Sequence, residues 1–255
     1  MRARVTSSRF VGRVGELAEL EHASREAAGQ HPSVVLLAGD SGVGKTRLVR
    51  EFEGRISEQQ NVLVLRGEAV EEADGELPYA PLVGALRPLV RRRDAALSAL
   101  SRGTRAQLAA LVPGLDEEPP ATDRGDASAQ VRLFEGLLEL IDVLSQDRLL
   151  VLVLEDLHWA DRSTRTFVDF LARSLRTERV MLLLSYRTDE LHRRHPLRPF
   201  LRTWQREQGV RSIELRGFTE HEVAAQMTAI LGAAPDPQLL AVVADRAEGN
   251  PFRGE

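Results

Sequence analysis

Ser33-Val-Val-Leu-Leu-Ala-Gly39-Asp-Ser-Gly-Val-Gly-Lys45-Thr46 is the stretch that decides the architecture. Ser33 to Ala38 reads as a short buried strand. Gly39 to Thr46 then fits the pattern G-x-x-x-x-G-K-[ST], with a helix expected from about Lys45. Glycines let backbone N–H groups curl round an anion without Cβ clashes, and a helix amino terminus adds its positive dipole. Strand, glycine loop and helix in that order predict a phosphate-binding loop.

Working outward, four more apolar runs have strand length: Val62 to Leu65, Leu149 to Leu154, Val180 to Ser185 and Ser212 to Leu215. Continuous rather than alternating apolar character is what a parallel sheet covered on both faces requires. Helical period fills the gaps. Val131, Phe134, Leu137, Leu138, Ile141 and Leu144 form one stripe, and Phe167, Val168, Phe170, Leu171 and Leu175 another. The fold expected is α/β: a P-loop NTPase parallel sheet flanked by helices, with ligands at the carboxyl ends of its strands.

Residues 1–32 read as an amino-terminal segment and helix, 33–216 as the phosphate-loop domain, and 217–255 as a small helical subdomain. Pro113 to Asp126, polar and proline-broken, reads as an exposed loop within a helical insertion after the second strand. Thr219-Glu-His-Glu222 has the capping-box pattern that starts a helix, and a second helix is expected over Asp236 to Ala247. The ending at Arg253-Gly-Glu255 reads as a fragment of a longer protein.

The 255 residues carry a formal net charge of −4, which gives no global field favouring nucleic acid. The arginine clusters at Arg91 to Arg93 and Arg193-Arg194 read as solvated faces. There is no cysteine, hence no disulfide and no thiolate metal site. No apolar run spans a membrane, and the basic start lacks the apolar core of a signal peptide. A cytoplasmic location is expected.

The chemistry follows from the loop. Backbone N–H groups of Gly39, Asp40, Ser41, Gly42, Val43, Gly44 and Arg47 are candidates to surround the phosphates. Lys45 is expected to reach the β- and γ-phosphates, and Thr46 to place its hydroxyl on Mg²⁺. The strand Leu149 to Leu154 finishes in Glu155-Asp156. Set beside the loop, it would deliver one carboxylate to the magnesium shell and the other to a hydrolytic water. Position favours Glu155 for metal and Asp156 for water. Many P-loop ATPases carry Asp before Glu, so the assignment stays open. Arg187 ends the next strand, where a guanidinium can report on the γ-phosphate. ATP or ADP with Mg²⁺ is the expected ligand set.

Five segments together resemble the STAND class of signal-transduction ATPases, related to AAA+ proteins, and most nearly the ATPase module of large LuxR-type regulators. They are Phe10-Val-Gly-Arg-Val-Gly-Glu16, Gly39 to Leu48, Leu154-Glu-Asp-Leu-His-Trp-Ala-Asp161, Tyr186-Arg-Thr-Asp-Glu-Leu191 with His195-Pro-Leu-Arg198, and Gly249-Asn-Pro-Phe252. The resemblance implies that Val11, Gly12 and Arg13 line the adenine pocket, that Pro251 meets the base, and that Arg187 is the sensor arginine. It also implies an ATP-dependent switch, closed with ADP and self-associating with ATP, acting on sensor and effector domains outside this chain. His158, Trp159 and Asp161 look like signature residues with packing roles. The helix-turn-helix of such regulators is absent from these residues, so no nucleic-acid contact and no membrane partner is expected.

Three readings remain open. They are a slow regulatory ATPase, a non-catalytic module glued by ADP or ATP, and a motor-type AAA+ ATPase with Arg193 or Arg194 reaching a neighbour's site.

Overall fold

The computed structural model describes residues 9–59, 61–71, 78–115, 127–207, 209–247 and 249–251. Phe252, the terminal Arg253-Gly-Glu255 and most of the 113–126 loop lie outside them. In chain order come α1 (Val14–Ala28), β1 (Ser33–Gly39), α2 (Lys45–Ser57) and β2 (Val62–Glu68). The insertion holds α3 (Ala80–Arg92), α4 (Ala96–Ala99), α5 (Arg102–Ala109) and α6 (Ala127–Ser145). Then follow β3 (Leu149–Glu155), α7 (Arg162–Ser174), β4 (Val180–Arg187), α8 (Arg198–Trp204) and β5 (Val210–Leu215). The C-terminal helices are α9 (Glu220–Leu231) and α10 (Pro237–Ala247).

The five strands form one parallel sheet in the order β2-β3-β4-β1-β5. Strand identity and direction are as the apolar runs predict. The acid-bearing strand, however, does not lie beside the phosphate-loop strand. β4 stands between them, pairing Gly39 with Arg187 on one side and Leu154 with Leu184 on the other. Apolar runs specify a parallel sheet covered on both faces but carry no information on neighbour order.

Side chains alternate across the sheet and feed two cores. Leu36 and Leu152 join Leu137 of α6 and Phe167 of α7 on one face. Leu37 and Val151 join Leu20 of α1 and Phe52 of α2 on the other. β1 and β3 are buried along their whole length, which is why they read as unbroken apolar runs. The edge strand β5 instead buries Ile213 and Leu215 and exposes Ser212 and Glu214.

On α6, Phe134, Leu137, Ile141 and Leu144 are buried as expected, with Leu140 beside them. Val131 is 55% exposed, so the buried face starts a turn later than the stripe suggested. Gly67 of β2 has no room for a side chain, since a Cβ there would overlap the Pro81 carbonyl at the start of α3. The capping box at Thr219 and Glu222 forms in both directions, the Thr219 N–H donating to the Glu222 carboxylate at 2.8 Å.

Candidate functional site

In a parallel sheet all carboxyl ends open on one side. Here β1, β3 and β4 deliver the glycine loop, Asp156 and Arg187 to one cavity of about 490 Å³. That lies within the roughly 300–1,000 Å³ usual for small-molecule sites. Gly42 and Gly44 adopt φ +77° and +102°, conformations that L side chains rarely adopt, and so turn the loop back into α2.

Ser41, Gly42, Val43, Gly44, Lys45, Thr46 and Arg47 all face the cavity. Gly39 and Asp40 lie behind it. Gly39 is packed against the Leu215 carbonyl and the Val43 side chain, and Asp40 is hydrogen-bonded to the Thr188 hydroxyl. Lys45 donates to the carbonyls of Gly39 at 2.7 Å and Asp40 at 2.9 Å. Burial pushes its pKa down; Asp156 opposes that shift and Arg187 adds to it.

The two acids part company. Glu155 is 2% exposed and accepts the Thr46 hydroxyl at 2.8 Å, while its other oxygen is ion-paired with Arg66 of β2. Asp156 faces the cavity and takes a left-handed backbone, φ 54° and ψ 42°. Its N–H donates to Ser185 Oγ at 3.2 Å, and its carboxylate lies 3.6 Å from Arg187 Nε.

Arg187 is held from several sides. Its guanidinium carbon sits 4.4 Å over the Trp159 ring, a cation–π contact, and its Nη1 is 3.5 Å from Glu190. Its backbone N–H donates to His158 Nδ1 at 3.4 Å. His158 is buried, and burial foremost, with Arg187 next, drops its pKa to about 4. Asp161 caps α7 through the Thr164 N–H at 2.9 Å and accepts the Tyr79 N–H at 3.1 Å. Asp161 thus ties the start of α7 to Tyr79, while His158 and Trp159 hold the arginine.

Val11, Arg13 and Pro251 also line the cavity. Arg13 acts as a strut: it donates to Val43 O at 3.3 Å and to Arg216 O, pairs with Glu16 at 3.1 Å and lies over Phe218. Gly12 is behind the wall, where a Cβ would collide with the Glu222 carboxylate. The C-terminal segment closes over the loop, with Asn250 Nδ2 donating to Ser41 O at 3.0 Å and Gln226 Nε2 to Pro251 O at 3.1 Å.

Sequence reasoning missed Arg9, Phe10, Arg50, Phe218 and Gln226 as lining residues, and Arg66 and Asp189 as partners. Arg50 was within reach, one helical turn beyond Thr46 on the same face. Arg9, Arg13, Lys45, Arg47, Arg50 and Arg187 line the cavity together with the carboxylate of Asp156, a mainly cationic lining suited to a polyphosphate. Arg193 and Arg194 are exposed beyond β4, and Arg193 lines a separate cavity with Tyr186 and Arg202.

Residues 9–184 match the family model of the AAA ATPase domain. An uncharacterized protein of Rhizobium meliloti (strain 1021) is 27% identical over 221 residues, 75% of this chain and 20% of that protein. The chain thus spans about a fifth of that relative's length. Among solved structures, Cdc6p from Pyrobaculum aerophilum aligns at TM-score 0.57 and 14% identity, covering 100% of this chain and 61% of that one. The Aeropyrum pernix ORC2 protein, solved in ADPNP–ADP complexes, aligns at TM-score 0.51 and 17% identity, covering 100% and 62%. Likeness at such identities establishes the fold alone. No helix among the described residues is long and apolar enough to cross a membrane.

Proposed function

The chain belongs to the AAA ATPase domain family, and from that premise we propose that it is an ATP-binding, slowly hydrolysing switch of the STAND kind. The observation that carries this reading is the convergence of Lys45, Thr46 with Glu155, Asp156, Arg187 and Pro251 on one cavity and its wall.

Lys45 exchanges the carbonyls of Gly39 and Asp40 for β- and γ-phosphate oxygens. The loop N–H groups and the amino end of α2 hold the remaining phosphate charge. A divalent cation fits the Thr46–Glu155 pair: both are hard oxygen donors, already 2.8 Å apart. No cluster of three or more His, Cys, Asp or Glu among the described residues could hold a metal by itself. Thr46 and Glu155 would hold Mg²⁺, a cation usually bound through one or two protein oxygens. Bound there, Mg²⁺ would supply neutralisation of phosphate charge.

Asp156, which faces the cavity while Glu155 does not, accepts a proton from the attacking water. Arg187 stabilises the charge that develops on the γ-phosphate, steered by the Trp159 face. Val11, Arg13 and Pro251 bound the adenine end. The described residues of the C-terminal subdomain, 217–247 and 249–251, act as a lid whose contact through Asn250 responds to what the loop holds. The sensor and effector domains of a LuxR-type regulator lie outside this chain on this reading, the switch is cytoplasmic, and self-association accompanies ATP.

A non-catalytic module glued by nucleotide is favoured by one observation: Asp156 is already paired with Arg187 rather than free to take a proton. A single-turnover assay on the purified chain separates the two. Phosphate release within hours, lost in Asp156→Asn, supports the switch; no release over the same time supports the binding module.

A further inference from the structure

Beyond Arg187 the chain stays on the phosphate loop. Thr188 N donates to Gly39 O at 3.4 Å, and the Thr188 hydroxyl bonds to Asp40. The Ser41 N–H donates to the Asp189 carboxylate, 3.2 and 3.3 Å from its two oxygens. The backbone donors of such a loop are what draws an anion to it. Here one of them faces a carboxylate that the chain itself supplies. Asp189 also acts on Lys45, where its charge favours the ammonium form against burial.

We infer that Asp189 is a specificity-determining residue of this site: its carboxylate, held on the Ser41 N–H beside Lys45, selects nucleoside diphosphate over triphosphate. The inference rests on reading Gly39 to Thr46 as a nucleotide phosphate site.

Electrostatics gives the sign. Lys45 and the loop N–H groups neutralise the phosphates they touch, and a carboxylate in the same shell cancels part of that positive potential. A diphosphate leaves the Ser41 donor to Asp189. A triphosphate brings further negative charge towards β4, where Arg187 stands two residues before Asp189. Arg187 is already engaged by Asp156 and Glu190 and so offsets only part of that charge. A terminal phosphate therefore binds against Asp189 or displaces it from Ser41. Displacement would break the Asp189–Ser41 contact while Thr188 stays on Gly39 and Asp40, a local change at the loop that diphosphate does not require.

Asp189→Asn tests this with little change of shape, because the amide oxygen can still accept the Ser41 N–H while the charge is gone. Asp189 is exposed, so the variant should fold, and Asp189→Ser is the second variant. The full chain is titrated calorimetrically with ATP and with ADP, each with Mg²⁺. In Asp189→Asn the Kd for ATP should fall about tenfold and that for ADP by less than about threefold, the size of one partly exposed charge contact. The difference should shrink as salt rises. An ATP-to-ADP affinity ratio unchanged in both variants overturns the inference alone, as does equal tightening of both nucleotides. A wild-type chain that binds neither nucleotide overturns the phosphate-site reading, and this inference with it.

Discussion

Glu155→Gln separates the metal role of this residue from its structural one. Glu155 touches two groups: it accepts the Thr46 hydroxyl at 2.8 Å and is ion-paired with Arg66. Glutamine can still accept from Thr46, so that hydrogen bond survives. The ion pair does not. Arg66 is 27% exposed and has Glu53 at 3.4 Å as a second partner. Glu53 itself is held above the usual carboxylate range by burial foremost, with the Glu155 charge contributing, so removing that charge eases the strain on Glu53. The stability loss should therefore be about 1 kcal/mol, well below the ~3–5 kcal/mol of a fully buried orphaned charge.

Metal binding should suffer more. Losing the carboxylate charge at a site with two oxygen-donor side chains costs on the order of 2–3 kcal/mol, or roughly 30- to 150-fold in Mg²⁺ affinity for the ATP complex. Urea denaturation gives the first number, and ATP titrations across a Mg²⁺ series give the second. ATP binding without metal should barely change. A variant with wild-type Mg²⁺ dependence would refute the placement of the cation between Thr46 and Glu155. So would a stability loss above ~3 kcal/mol with binding otherwise intact, because Glu53 would then not be compensating Arg66.

Two further outcomes are expected. Asp156 occupies a left-handed conformation that asparagine also tolerates, so Asp156→Asn should fold and bind ATP while phosphate release drops ~10²-fold or more; unchanged release in a rapid-quench assay would remove Asp156 from the chemistry. His158 is held neutral down to about pH 4 in the folded protein against an ordinary value of 6.5. The unfolded chain therefore binds the extra proton first, and stability should fall by about 2–3 kcal/mol as pH drops from 6.5 towards 4. His158→Gln should flatten that slope in denaturant titrations, and an identical slope would assign the acid sensitivity to other groups.

Much of this molecule was legible in its sequence because the sheet is buried on both faces. β1, β3 and β4 had to be continuous apolar runs, and each was bounded correctly to within a few residues. The loop was legible because its geometry needs Gly42 and Gly44 with a lysine after them. Neighbour order was not, since any of these strands could sit beside β1 without altering its composition. Single contacts across the sheet were equally silent. Arg66 is a charge in a strand until the β2–β3 register aligns Glu68 with Glu155 and brings its guanidinium to that carboxylate. Asp189 and Asn250 reach the loop from 148 and 209 residues away in sequence. No local pattern marks a side chain that closes a site from such a distance. The exposed Val131 shows the converse, an apolar residue in phase with a buried face that simply lies beyond its end.

Calorimetric titration of the wild-type chain and of Lys45→Ala with ATP and Mg²⁺ tests the central claim most directly. Lys45 is the buried cation of the loop and donates to two carbonyls that phosphate oxygens can replace. The wild type should bind, and the Kd of the alanine variant should rise by about a hundredfold or more, the loss of a buried charge-assisted contact to phosphate. Normal ATP binding by a folded Lys45→Ala variant would contradict the assignment of Gly39 to Thr46 as the phosphate site.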